Sequence, residues 1–148
     1  MLTSTGTQSW ARKKGLAGVV VGTLLWALPG VGLAQEEVVL TKGQREYHAY
    51  CATCHGAQGK GDGPLSTILT VVPADLTQLR KKNDGEFPFW RVYKIIDGRD
   101  MVRGHGARNM PVWGAHFLME EGGGYLDEDR VIGRILALVY YLQSIQEK

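Results

Sequence analysis

From Leu126 to Gln146 apolar side chains return every three or four positions. In LDEDRVIGRILALVYYLQSIQ, Val131, Ile135, Leu138, Val139 and Leu142 share one stripe, the spacing of a helix that buries a single face. Asp127 is placed as its N-cap, with Glu128 and Asp129 in the first turn facing the positive end of the helix dipole. A second helix is predicted in EFPFWRVYKIIDG, beginning near Pro88, carrying Val92, Ile95 and Ile96 at helical spacing and stopping at Gly98. A third, LTKGQREYHAYCATC, takes Thr41 as its N-cap and carries Leu40, Tyr47 and Tyr50 toward a pair of cysteines. No run alternates with period two and no segment repeats, so the expected class is all-α. Between the helices lie GAQGKGDGPLSTILTVVPADLTQLRKKNDG and GRDMVRGHGARNMPVWGAHFLMEEGGG. Connections that long in a compact domain need something to organise them.

One apolar run belongs to none of these. Arg12, Lys13 and Lys14 precede an uncharged stretch from Leu16 to Leu28, followed by Pro29, Gly30 and small residues up to Ala34, the order of a secretory signal. The expectation is a signal peptide over residues 1–34, cut after Ala34, and an exported domain over residues 35–148. The alternative is a retained anchor, since a bilayer-spanning helix needs about 20 apolar residues, but Pro29 and Gly30 would break that helix early. Export revises the charge picture. Of the 17 basic residues three lie in the signal, leaving 14 against 15 acidic ones, which is no basis for binding nucleic acid. The remaining local cluster, Arg80, Lys81 and Lys82, reads as solvated surface. Residues 35–148 amount to one small domain with limited apolar area to bury, which a large buried cofactor would supplement.

The only two cysteines, Cys51 and Cys54, stand in YCATCHG with His55 directly after them. A zinc site needs about four ligands, and no second cysteine pair exists. A dithiol redox site expects a βαβ setting, absent here. A disulfide would close a very short loop, where the entropic gain is least. What remains is C-x-x-C-H as covalent haem attachment, two thiols joined to the porphyrin and the histidine held under the iron by the same turn. For the opposite face of the iron the chain offers Met101, Met110, Met119, His48, His105 and His116. Met110 precedes Pro111, which restricts it to extended backbone, and its neighbours are polar and turn residues, a poor setting for a methionine that merely fills a core. It is the expected sixth ligand, with His105 in the same loop as its rival. The other four are read as packing or surface residues. Trp90 and Trp113 are read as core packing, with contact to the porphyrin as the alternative.

With C-x-x-C-H at residues 51–55, Met110-Pro111 beyond it and a last helix able to cross the first, the sequence resembles the class I c-type cytochromes over residues 38–146. Gly43 and Tyr47 match the family's glycine and aromatic on the first helix, and Leu138 and Tyr141 match the aliphatic and aromatic of its crossing partner. Taken by themselves, Gly43 and Tyr47 are four apart and share a helix face, where a glycine lets another backbone approach closely. The resemblance implies an all-α cytochrome c fold, about three to five helices wrapped around one covalently attached haem c, with the terminal helices crossing. It also implies that Pro64 offers its carbonyl to the proximal His55, with Pro73 as the rival for that role; such a bond would fix the ring. GKGDGP lacks the strand and the full fingerprint of a phosphate cradle and is read as turns.

A haem held by both His55 and Met110 has no open position for a substrate, and methionine ligation favours reduced iron. The expected function is one-electron transfer in the cell envelope, in the periplasm, between respiratory or dehydrogenase partners. The protein is expected to be a carrier rather than an enzyme, with redox proteins as partners, no nucleic acid, and the membrane only if the N-terminal segment is retained. The alternatives are a haem subunit fixed in a dehydrogenase or oxidase complex and a haem-based sensor with a displaceable sixth ligand.

Overall fold

The computed structural model describes residues 31–99 and 110–147. Among them the chain forms five α-helices: α1 (Val31–Tyr50), α2 (Ala52–His55), α3 (Phe89–Asp97), α4 (Trp113–Glu121) and α5 (Glu128–Ser144). Short 3-10 turns lie at Leu76–Gln78, Lys81–Asn83 and Tyr125–Asp127, and no strand occurs among the described residues.

The stripe on α5 is the centre of the core. Val131, Ile135, Leu138, Val139 and Leu142 are buried, and Tyr47 of α1, Val92 and Ile96 of α3 and Phe117 of α4 close around them. The fold is therefore one long helix with its apolar stripe covered by three others, an all-α cytochrome c fold with terminal helices crossing. The crossing depends on Gly43. A Cβ there would overlap the carbonyl oxygen of Ala137 and lie 2.8 Å from Cβ of Tyr141, so α1 and α5 meet backbone to backbone at this point. One turn later Tyr47 is fully buried, its ring 5.3 Å from that of Tyr141 and its hydroxyl donating to Gly56 O at 2.6 Å.

α3 follows its prediction, starting after Pro88 and ending at Gly98 in the left-handed region, φ 67°. Three other expectations are revised. Thr41 does not cap α1: the described helix runs continuously from Val31, through the expected cut after Ala34, because no helix breaker intervenes in AQEEVVLTK. Asp127 does not cap α5 through its side chain. The Tyr125–Asp127 turn leads straight into the helix, and the carboxylate turns back to accept from Gly124 N at 3.0 Å and from Arg130 at 2.9 Å. Finally, MPVWGAHFLMEEGGG is not all connection, since it contains α4, stopped by Gly122. Trp113 and Phe117, one turn apart on α4, face the core. Gly114 sits between them, where a Cβ would run into the Asp97 carboxylate, so α4 lies close against the end of α3.

Candidate haem site

α1 ends at Tyr50, and the chain makes one further turn before leaving the helical path. Cys51 N bonds to Tyr47 O at 2.8 Å, and His55 N bonds to Cys51 O at 2.9 Å. Gly56, in the left-handed region at φ 82°, closes α2 with its N–H on Ala52 O. Cys51 and Cys54 are three residues apart on this turn and so point to one side of it, with His55 directly beyond. Both thiols are free and half-buried. Burial, and secondarily the charges of Glu46 and Cys54, push the Cys51 thiol up to about 12. A dithiol redox centre works through a thiolate with a depressed pKa, so this environment opposes that chemistry.

The imidazole of His55 is oriented by the backbone. Its Nδ1 lies 3.0 Å from Ala74 O, and since a carbonyl only accepts, Nδ1 carries the proton. Nε2 then has a lone pair, and among the described residues it has no hydrogen-bond partner. Burial holds the ring below its ordinary pKa, against a smaller opposing effect of the bond to Ala74, which keeps it neutral as a metal ligand must be.

The acceptor is a correction to the sequence reading. Pro64 does not reach His55. The GKGDGP turn folds back onto the cysteine turn instead, with Gly61 N on His55 O at 2.8 Å, Gly63 N on Cys54 O at 3.2 Å and Leu65 N on Thr53 O at 3.0 Å, and Pro64 is left exposed. This packing needs Gly63, where a Cβ would lie 2.5 Å from Thr53 O. The chain returns to the histidine ring only after Pro73, and the rival residue misses the role by one position. Ala74 is held there from both sides: Asp75 caps the following turn through Thr77 N at 2.9 Å, and Leu76 N bonds to Gly59 O at 2.6 Å.

Met110 is half-buried and leans on the same core cluster as Cys51, with Pro111 and Val112 leading from it into α4. His105 and Met101 lie outside the described residues. Among the remaining alternatives, Met119 and His48 are exposed, and His116 is occupied with Glu120, Nε2 to Oε1 3.1 Å. Trp113 packs at 5.4 Å from Tyr50 and stacks on Phe117 at 5.8 Å, whereas Trp90 is 67% exposed and is not core.

Two arginines matter here, one of them read from the sequence as solvated surface and the other not singled out there. Lys81 and Lys82 are exposed as expected, but Arg80 beside them is half-buried, and its Nε is the one buried side-chain polar atom among the described residues without a partner. Arg134 is buried on α5 among carboxylates from α1 and α4.

The sequence profile of one protein family, described as cytochrome c oxidase, cbb3-type, subunit III, matches residues 39–122. No curated protein and no solved structure matches the chain.

Proposed function

The chain belongs to the family described as cytochrome c oxidase, cbb3-type, subunit III, and from that premise we propose that this class I monohaem c-type cytochrome serves as a one-electron carrier in the cell envelope. Haem-based electron transfer and one covalent haem c come with the family. The residue roles, the partners and the location are the proposal.

Cys51 and Cys54 would tether the porphyrin, and His55 and Met110 would be the residues that ligate the iron. The residues fit such a group. Two free thiols on one side of a turn stand next to a neutral imidazole with a free Nε2, and a buried arginine Nε lacks a partner. A carboxylate such as a propionate is the kind of acceptor that would satisfy the Arg80 Nε–H. When bound, the haem supplies the one-electron couple. The chain supplies the rest. Ala74 O fixes the plane of the His55 ring and raises its basicity as a donor. Pro111 limits the conformations of Met110 before binding, and the half-buried cysteine turn keeps water from one side of the site. The observation that carries this reading is the His55 ring, locked through Nδ1 with Nε2 left for a metal.

A second reading keeps the same chemistry with a fixed partner, as a haem subunit of an oxidase complex. It is favoured by the description of the matching family, and copurification from native membranes with an oxidase, against recovery as a free protein, separates the two. The periplasmic location rests on the signal-like N-terminus. It is tested by intact mass, expected to correspond to a chain starting at or near Gln35 plus one haem.

The sixth ligand is tested by Met110→Ala in the holoprotein. A thioether is a weak, neutral, soft donor suited to ferrous iron, so its loss should lower the reduction potential and open the site to carbon monoxide or imidazole. His105→Ala should leave the spectrum unchanged. If the sulfur-to-iron charge-transfer band disappears in the His105 variant instead, the ligand is misassigned. A wild type without that band belongs to the sensor reading.

A further inference from the structure

Arg134 stands where three helices meet. Its guanidinium holds Glu46 of α1 with two parallel bonds, Nε to Oε1 at 3.0 Å and Nη2 to Oε2 at 2.9 Å. Its Nη1 reaches Glu120 at 2.9 Å and Glu121 at 3.3 Å at the end of α4. The same group lies 4.0 Å above the Phe117 ring and 5.4 Å from that of Tyr50, a geometry favourable for a cation over an aromatic face. Tyr50 closes the circuit, its hydroxyl donating to Glu120 at 3.0 Å.

The attachment points coincide with the two halves of the proposed ligand set. Glu46 and Tyr50 belong to the helix that runs directly into Cys51 and His55, while Glu120 and Glu121 end the short helix that begins just after Met110. Taking a guanidinium and several carboxylates out of water is costly, and such a network is weak evidence for stability alone. What the planar fork does provide is fixed geometry, which a point charge cannot supply. We infer that Arg134 is the positioning residue for the sixth ligand: by clamping α4 to α1 it holds the Met110 segment at a set distance from the His55 turn. The inference rests on the reading of Met110 as that ligand. Arg134 itself lies beyond the residues that match the family. A thioether binds iron weakly, so a small displacement of α4 should release it before the fold gives way.

The test compares wild-type holoprotein with Arg134→Lys and Tyr50→Phe, at temperatures well below melting. The readouts are the sulfur-to-iron charge-transfer band of the ferric form, carbon monoxide binding to the ferrous form, and helical content. Lysine keeps the charge but cannot hold Glu46 bidentately while reaching Glu120. Arg134→Lys should therefore weaken the band and raise carbon monoxide affinity about tenfold, the effect of one lost charge-assisted bond. Tyr50→Phe should do the same to a smaller degree, with haem attached and helices intact in both. Variants that melt earlier but keep the wild-type band and carbon monoxide affinity would overturn the inference and reduce Arg134 to a packing role. If Arg134→Lys does not fold, Tyr50→Phe decides on the same readouts. A wild type lacking the band overturns the Met110 assignment itself, and is distinguishable because no variant is then needed to see it.

Discussion

α5 is fastened to α1 at two places, and they use opposite physics. At Gly43 the helices touch through backbone, with Ala137 and Tyr141 on the other side and no charge involved. One turn along, at Glu46, the same two helices are joined by the Arg134 guanidinium, which also recruits Glu120 and Glu121 from α4. The first contact is short-range and steric. It tolerates no added atom, is indifferent to salt and pH, and fixes only the crossing itself. The second is electrostatic and directional, and it fixes a third element that the crossing leaves alone. Close approach thus sets the frame, and the ionic clasp, acting with the core packing of Phe117 and the contact of Gly114 with Asp97, sets where α4, and Met110 ahead of it, sits on that frame.

The largest break in this comparison is expected at Gly43. Because the added Cβ of Gly43→Val would meet the Ala137 carbonyl rather than a flexible side-chain end, the helices must separate, at a cost of about 3 kcal/mol, the upper part of the usual overpacking range. Thermal melting of the holoprotein followed by helix ellipticity measures it. A variant that melts like wild type would mean that the crossing is not where α1 and α5 meet. The intermediate break is Arg134→Met, which leaves three carboxylates facing each other without their cation. Removing one partner of a fully buried pair costs more, but the side chains of Glu120 and Glu121 are 36% and 25% exposed, so about 2 kcal/mol is expected. The two variants should also differ in kind. Raising the salt concentration should narrow the gap between wild type and Arg134→Met and leave the gap to Gly43→Val unchanged.

The two junctions also differ in how far the sequence shows them. Gly43 and Tyr47 stand at a fixed spacing before Cys51, and Leu138 and Tyr141 fall on a strong apolar stripe, so the crossing follows from short-range periodicity. The cysteine turn is legible for the same reason, since Cys51, Cys54 and His55 lie within one helical turn. Arg134 looks like an ordinary helix-surface arginine. Its signal is positional: three residues after Val131 and four before Leu138, it lies on the buried stripe rather than opposite it. A charge on an apolar face asks for partners, and these come from residues 88 positions back and 14 positions back in the chain, which no local pattern connects. The Ala74 carbonyl was out of reach for a different reason. A backbone acceptor carries no side-chain signature, and its place depends on how the segment from Gly56 to Leu65 bonds back to Thr53, Cys54 and His55. α4 is hidden in the sequence because Gly114 reads as a loop glycine among its glycine-rich neighbours, and only a close contact with Asp97 explains it.

The smallest predicted effect separates the junctions by pH. Partial burial of Glu120 favours its protonated form, but the bonds from Arg134 and Tyr50 and the nearby charges of Arg134 and His116 outweigh it and hold the carboxyl below its ordinary value of 4.5. A carboxylate depressed in the folded state adds stability that is complete above 4.5 and is lost as the pH falls through the folded value. Glu120→Gln should therefore melt below wild type at neutral pH, and the gap should close on acidification past 4.5. At the other junction the nearby titrating groups are Tyr47 and Tyr141, both pushed upward by burial and so neutral throughout the acid range. The gap between wild type and Gly43→Ala should accordingly stay constant over the same interval. Parallel melting curves against pH for Gly43→Ala and converging ones for Glu120→Gln are the expected pair. A Glu120→Gln gap that persists at low pH would mean that Glu120 contributes through packing and that its charge does not hold the clasp.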